Sequence, residues 1–297
     1  MTTPDRNDPS ATQRPWEWLY ALVGAGMWAF SSVRFDLEVV GAFPSVQDGQ
    51  LWASSHRAET DVPVLGGLMF VRGGMWRPGA ARAHFAARDD LFEPGVVAAG
   101  LRLPGPLSRL VWPLTPGRWL RHVRAHPVRR PTGAKLGQLI RDLPDGQPLD
   151  DLLGPRLTAL ILDRAGLRRP TPRLVGDIRR PSFAGLLWED VDGSDLTEAG
   201  QEVWRSHVAR AAADLRRIAR VARDGHPMVL FPEGRVSPDG AIGPVGDILA
   251  TLARVGRVGA IVPVAVAYDP LRPGRRRWRW PSARRSPRAG RTSRARH

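Results

Sequence analysis

The chain predicts an α/β fold, a mixed sheet flanked by helices, on three observations. Short apolar runs of strand type (Leu51-Trp52-Ala53, Met228–Phe231 and Ala260–Tyr268) alternate with longer segments of helical apolar spacing. The longest helical segment opens at Thr197, carries apolar residues at Val203, Val208, Ala211, Leu215, Ile218 and Val221, and stops at Gly225. The chain has 297 residues, 42% of them apolar, enough for one large domain with appendages. It has no Cys, which excludes a disulfide framework, a Cys-based zinc site and a thiol nucleophile.

The elements follow in order. Residues 1–13 are polar and rich in Asp, Thr and Pro, and read as a disordered lead. From Trp18 to Val33, sixteen residues carry no charge. As a helix this run spans about 24 Å, shorter than the roughly 20 apolar residues that cross a bilayer. Its Trp and Tyr cluster suits a membrane interface. Residues 14–34 are therefore expected to lie in or dip into one leaflet, with a core helix as the alternative. Val33–Val40 alternates in part, as a half-buried strand does. Leu51-Trp52-Ala53 is a short strand, and Val62–Phe70 continues as a helix. Ala86–Phe92 reads as a helix start, 94–116 as Gly/Pro-rich loops, and Val123–Arg130 as another strand. Residues 136–200 read as an insertion within a domain spanning 35–272. Arg277-Trp278-Arg279-Trp280 alternates as a last strand, inside a basic tail (273–297) expected to be disordered from 281.

The formal charge is +15, but eleven Arg and no acid lie between Arg272 and His297, leaving +4 for the first 271 residues. The only lysine is Lys135. The basic excess sits in a Pro/Ser/Gly-rich tail rather than on a patterned face with stacking aromatics, apart from Trp278 and Trp280. This argues against nucleic acid as a partner.

Two short strings carry the chemistry. His56 and Asp61 are five residues apart, which on one continuous helix separates them by about 140°. They meet if His56 lies just before a helix and Asp61 in its first turn. Ser54-Ser55 are cap-type residues, and the apolar run begins at Val62, in agreement. Asp61 then fixes the tautomer of His56, whose other nitrogen is free to take a proton from a substrate hydroxyl. Far downstream, Phe231-Pro232-Glu233-Gly234-Arg235 ends a strand and opens a loop. Gly234 permits close backbone approach, Arg235 offers a bidentate fork to phosphate, and Glu233 suits a polar headgroup or a neighbouring Arg. His122 and His126 have the spacing of a helical metal pair, but Pro127 favours a strand there, and no metal is expected. His84, His207 and His226 read as structural or surface residues.

In this order the strings resemble motifs I and III of the glycerolipid acyltransferase family, whose members include 1-acylglycerol-3-phosphate acyltransferases. Ala125-His-Pro127-Val128-Arg129-Arg130 resembles motif II, with Arg130 at the expected arginine and Arg129 as the alternative register. Val262-Pro263-Val264 resembles motif IV. Ala58 stands where the family usually has Ser, and Arg235 and Val236 where it has Thr and Arg. The resemblance implies transfer of a fatty acyl group from acyl-CoA or acyl-carrier protein to the hydroxyl of a lysophosphatidic acid or glycerophosphate-type acceptor, at the cytoplasmic face of a membrane. It implies His56 as base, Asp61 as its orienting partner, and Arg130, Glu233, Gly234 and Arg235 around the acceptor phosphate, with Arg129 and Pro263 as further candidates. No cofactor is implied. Two alternatives stay open: another lipid or glycolipid acceptor, and a non-catalytic lipid- or nucleic-acid-binding protein.

Overall fold

The computed structural model describes residues 15–92, 116–165, 172–233, 248–268 and 276–278. The lead, most of the 94–116 stretch and the tail beyond 278 lie outside the described residues.

In chain order the elements are α1 (Glu17–Arg34), β1 (Phe35–Leu37), β2 (Gln50–Ser54), α2 (Asp61–Val71), β3 (His84–Arg88), α3 (Pro116–His122), β4 (Ala125–Val128), β5 (Ala134–Lys135) and α4 (Leu136–Ile140). Then come α5 (Pro155–Ala165), α6 (Val175–Ile178), β6 (Asp190–Val191), α7 (Glu198–Arg223), β7 (Met228–Leu230), α8 (Ile248–Val255), β8 (Ala260–Val264) and β9 (Arg276–Trp278). The central sheet has the order β4-β3-β7-β2-β8. All four of its pairings are parallel. The expected mixed sheet is thus a parallel one. Helices intervene between its successive strands, and such crossovers return the chain in the same direction.

Alternate residues of the central strands build two cores. Trp52, Val229 and Val264 pack with α1 and α2 residues such as Tyr20, Leu65 and Met69. Leu51, Met228 and Leu230 pack with Ile218 and Ala222 of α7 and Leu252 of α8. This places helices on both faces of the sheet, the arrangement that buries parallel strands. Thr197 caps α7 by accepting from the Gly200 N–H, and Gly225 ends it at φ +93°.

α1 has two faces. Leu19, Tyr20, Gly24 and Ser31 are buried against the body, while Trp18 (62% exposed), Leu22, Phe30 and Val33 are not. A Cβ added to Gly67 of α2 would lie 2.8 Å from the Trp28 Cα, so the two helix backbones touch where only hydrogen fits. Tyr20 donates to the Ala83 carbonyl, and Glu17 pairs with Arg82 and Arg124. Among the described residues no helix is long and apolar enough to cross a membrane.

Three local expectations differ. Val33 belongs to α1, and the strand after it is only β1, paired in parallel with β9. Ala86–Phe92 is the end of β3 followed by a 3-10 turn at Asp89–Phe92, because Ala86 and Ala87 pair with His126 and Pro127 of β4. The α8 helix was not anticipated. Residues 134–204 hold a hydrophobic cluster of their own, with Leu136, Leu157, Val175 and Ile178 at its centre. This segment, which includes the expected insertion at 136–200, therefore packs as a small unit after β4, opened by the antiparallel ribbon β5-β6.

Candidate active site

Parallel α/β sheets place ligand sites beyond the carboxyl ends of their strands. Here β2 ends at Ser54, and six residues turn the chain into α2. Ser55 ties that turn to the end of β8: its N–H donates to the Val264 carbonyl at 3.0 Å, and its Oγ accepts from the Val266 N–H at 2.9 Å. His56 follows, 5% exposed, and Asp61 opens α2 at 0% exposure. Their meeting follows the expected geometry, with the histidine outside the helix and the carboxylate at its N-terminus, where negative charge is favoured.

Asp61 accepts from four directions. Its Oδ2 receives the Arg57 and Ala58 N–H groups at 2.5 and 2.8 Å and lies 3.4 Å from His56 Nδ1. Its Oδ1 receives the Tyr268 hydroxyl at 2.5 Å, and that hydroxyl also meets Thr60 Oγ1 at 2.7 Å. A buried carboxylate so satisfied is held in one orientation. With Nδ1–H directed to Asp61, His56 Nε2 carries the lone pair that can accept a proton.

The Phe-Pro-Glu run at the end of β7 supports the same histidine. The Phe231 ring lies 4.5 Å from the imidazole, centroid to centroid, and Glu233 Oε1 accepts from the His56 N–H at 3.1 Å. Glu233, expected at an acceptor headgroup or an arginine, thus places one oxygen on the backbone of His56. Gly234 and Arg235 lie outside the described residues. Pro263 sits in β8 opposite Ala53; β8 is the edge strand, where a missing N–H is tolerated.

The two arginines after β4 divide. Arg129 is bound to Asp214 of α7 at 2.8 Å and approaches Asp89 at 3.7 Å. The Arg130 carbonyl accepts from His207 Nε2 at 2.9 Å, but its guanidinium makes no hydrogen bond or ion pair with a described residue. Arg130 lines a small cleft together with Arg88, Asp90, Lys135, Gln138 and Asp190. Arg88 reaches Glu59 of the His56 turn at 3.2 Å. Burial, opposed in part by Arg129, pushes the Asp89 carboxyl up to about 6.

Three residues of this site were given no role from sequence: Tyr268, Arg88 and Lys135. Tyr268 left one usable sign, a phenol closing the apolar run 260–268 in a chain with only two tyrosines. At the amino end of the sheet, His84 Nδ1 lies 2.8 Å from His126 Nε2, and Arg124 donates toward His84 Nε2 at 3.2 Å. Burial first, then neighbouring positive groups, lowers His84 to about 2 and His126 to about 4, so both are neutral. No group of three or more His, Asp or Glu among the described residues could hold a metal ion.

No protein-family model matches the chain, and neither does any curated protein or solved structure.

Proposed function

We propose that the chain is an O-acyltransferase of the glycerolipid type, moving a fatty acyl group from acyl-CoA or acyl-carrier protein to a glycerophosphate-type hydroxyl in phospholipid synthesis. The observation that carries this reading is the buried His56–Asp61 pair beyond β2, with its carboxylate held by two backbone amides and Tyr268. His56 Nε2 removes the acceptor's hydroxyl proton. The alkoxide attacks the thioester carbonyl, the C–S bond breaks, and the thiolate leaves with a proton. The acceptor alcohol stands where a serine nucleophile stands in a Ser-His-Asp triad. Arg130, half-buried and unpaired among the described residues, suits the acceptor phosphate, as the resemblance implies.

The exposed apolar face of α1 supports a membrane-associated reading, at the cytoplasmic face where acyl thioesters are found. Trp18, Leu22, Phe30 and Val33 are all exposed, and helical spacing puts them within about 120° of one another around α1. The helix leads into Phe35, whose ring lies 5.9 Å from Tyr268, so the carboxyl end of α1 lies beside the site.

The test is direct: detergent-purified protein, labelled acyl-CoA or acyl-carrier protein, and a panel of glycerol 3-phosphate, lysophospholipids and glycolipids, with products identified by mass. Acylated lysophosphatidic acid or glycerol 3-phosphate is the expected product. Acylation of a glycolipid alone would move the reading to another acceptor. Thioester hydrolysis without transfer, or no turnover with any pair, would end it.

A further inference from the structure

The cleft beside the His56 turn draws its walls from two parts of the fold. Arg88 ends β3, Asp90 follows it and Arg130 follows β4, whereas Lys135, Gln138 and Asp190 belong to the unit of residues 134–204. It encloses only about 20 Å³, so a ligand here is held on its charged walls, which suits a phosphate and not an acyl chain.

Its cations differ in what already holds them. Arg88 is engaged by Asp90 through two hydrogen bonds and by Glu59. Glu59 is three residues beyond His56, so this pair fastens the cleft wall to the turn that carries the proposed base. Arg130 has no side-chain partner among the described residues. Lys135 Nζ lies 2.8 Å from Asp190 Oδ1, but the Asp190 side chain is 78% exposed against 19% for Lys135. Water competes for such a carboxylate and the pair is correspondingly weak. The ammonium is the sheltered member and stays with the cleft when the pair opens. Its backbone is anchored too: the Lys135 N–H donates to Gln138 Oε1 at 2.8 Å, at the start of α4. In a chain with 44 basic residues this is the only lysine.

We propose that Lys135 joins Arg130 on the phosphate monoester of a small hydroxylated acceptor in this cleft, and that Lys135 makes the unit of residues 134–204 the element that determines acceptor specificity. The proposal deepens the acyltransferase reading and rests on it for the identity of the acceptor. A phosphate dianion displaces the exposed Asp190 from Lys135. The ammonium then serves as a compact point charge and Arg130 as a planar fork. The carboxylates of Asp190 and Asp90 retain lone pairs that accept from acceptor hydroxyls. A phosphodiester, with one charge and no terminal dianion, gains less from this pair of cations.

A single lysine makes the site chemically addressable. Pyridoxal 5′-phosphate carries both an aldehyde and a phosphate. The Lys135 amine condenses with the aldehyde, losing water, and borohydride delivers hydride to the imine carbon to leave a stable secondary amine. The N-terminal amine is the internal reference. Full-length protein should label at Lys135 about tenfold or more faster than at the N-terminus, since a phosphate site raises the local concentration of the reagent. Glycerol 3-phosphate or lysophosphatidic acid should protect Lys135, and glycerol and phosphodiesters should not. Protection by the soluble ester identifies a free phosphate ligand; protection only by the lysolipid in mixed micelles identifies a lipid headgroup. Either supports the proposal. Lys135→Gln should weaken calorimetric binding of the protecting ligand by about tenfold, and Lys135→Arg should restore part of it. Equal labelling of the two amines without protection, or unchanged affinity in folded Lys135→Gln, overturns it. Binding is read here without turnover. Protection without acyl transfer would therefore leave the site standing and remove only the catalytic reading.

Discussion

Tyr268→Phe removes one hydroxyl from the site and leaves its ring, which packs beside Phe35. The hydroxyl is the donor to Asp61 Oδ1, and Asp61 is completely buried. Without it that oxygen has neither water nor another donor among the described residues, while Oδ2 keeps the Arg57 and Ala58 amides. A hydrogen bond to a charged group contributes about 1.5–3 kcal/mol, and a buried acceptor left unsatisfied costs at least about 1–3 kcal/mol. Thr60 Oγ1, 2.7 Å from the same phenol, can rotate its hydroxyl toward the vacancy and recover part of the loss. The expected destabilisation is therefore about 1.5–2.5 kcal/mol, read by urea denaturation at pH 7.5 with an unchanged slope. In an Asp61→Asn background the same change should cost at least about 1 kcal/mol less, since the charge that needs the donor is gone. Turnover should fall while donor KM stays, because Tyr268 positions Asp61 and through it His56 without touching donor. A loss below about 0.5 kcal/mol, together with wild-type turnover, would show that the phenol does not hold the carboxylate.

Three further outcomes are expected. His56→Ala should lower transfer by about 10²–10⁴-fold with native circular dichroism, and wild-type-like turnover would remove His56 from the chemistry. Trp18→Glu with Leu22→Glu, on the exposed face of α1, should abolish sedimentation with lipid vesicles while leaving the denaturation midpoint unchanged; undiminished sedimentation would place the membrane contact elsewhere. Acid should destabilise the fold early. His84 and His126, at about 2 and 4, stay neutral while the unfolded chain takes up protons near 6.5, so their stability is full above pH 6.5 and is lost as pH falls toward those values. Each contributes about 1 kcal/mol of loss between pH 6.5 and 5.5. Asp89, raised to about 6, has the opposite sign and gains stability as pH falls through 6, offsetting part of it. Asp89→Asn should therefore steepen the acid loss over pH 6.5 to 5.5, and an unchanged slope in that variant would contradict this balance.

Local sequence pattern carried furthest where one residue's surroundings are its chain neighbours. The His56-to-Asp61 geometry was readable because capping, helix start and a five-residue offset are all local. The long α7 and its stop at Gly225 followed from the same kind of signal. Where the reading departed, distant partners decided. Ala86–Phe92 has no intrinsic bias against a helix, yet pairing with β4 draws its first half into a strand. Val33 alternates like a strand residue, but docking of Gly24 and Trp28 against α2 extends α1 past it.

The amino-acid order by itself determined the α/β class, the placement of His56 outside a helix and Asp61 within it, and the absence of any cysteine thiol. Only the tertiary structure decided which groups complete that pair and which cations remain open to a ligand. Tyr268 is 207 residues from Asp61, Glu233 is 177 from His56, and Asp214 is 85 from Arg129. Spacing rules reach one or two helical turns. Contacts across such separations are set by the register of parallel strands, which brings the ends of β2, β7 and β8 to one edge. The same packing hides Arg129 against Asp214 and leaves Arg130 beside Lys135.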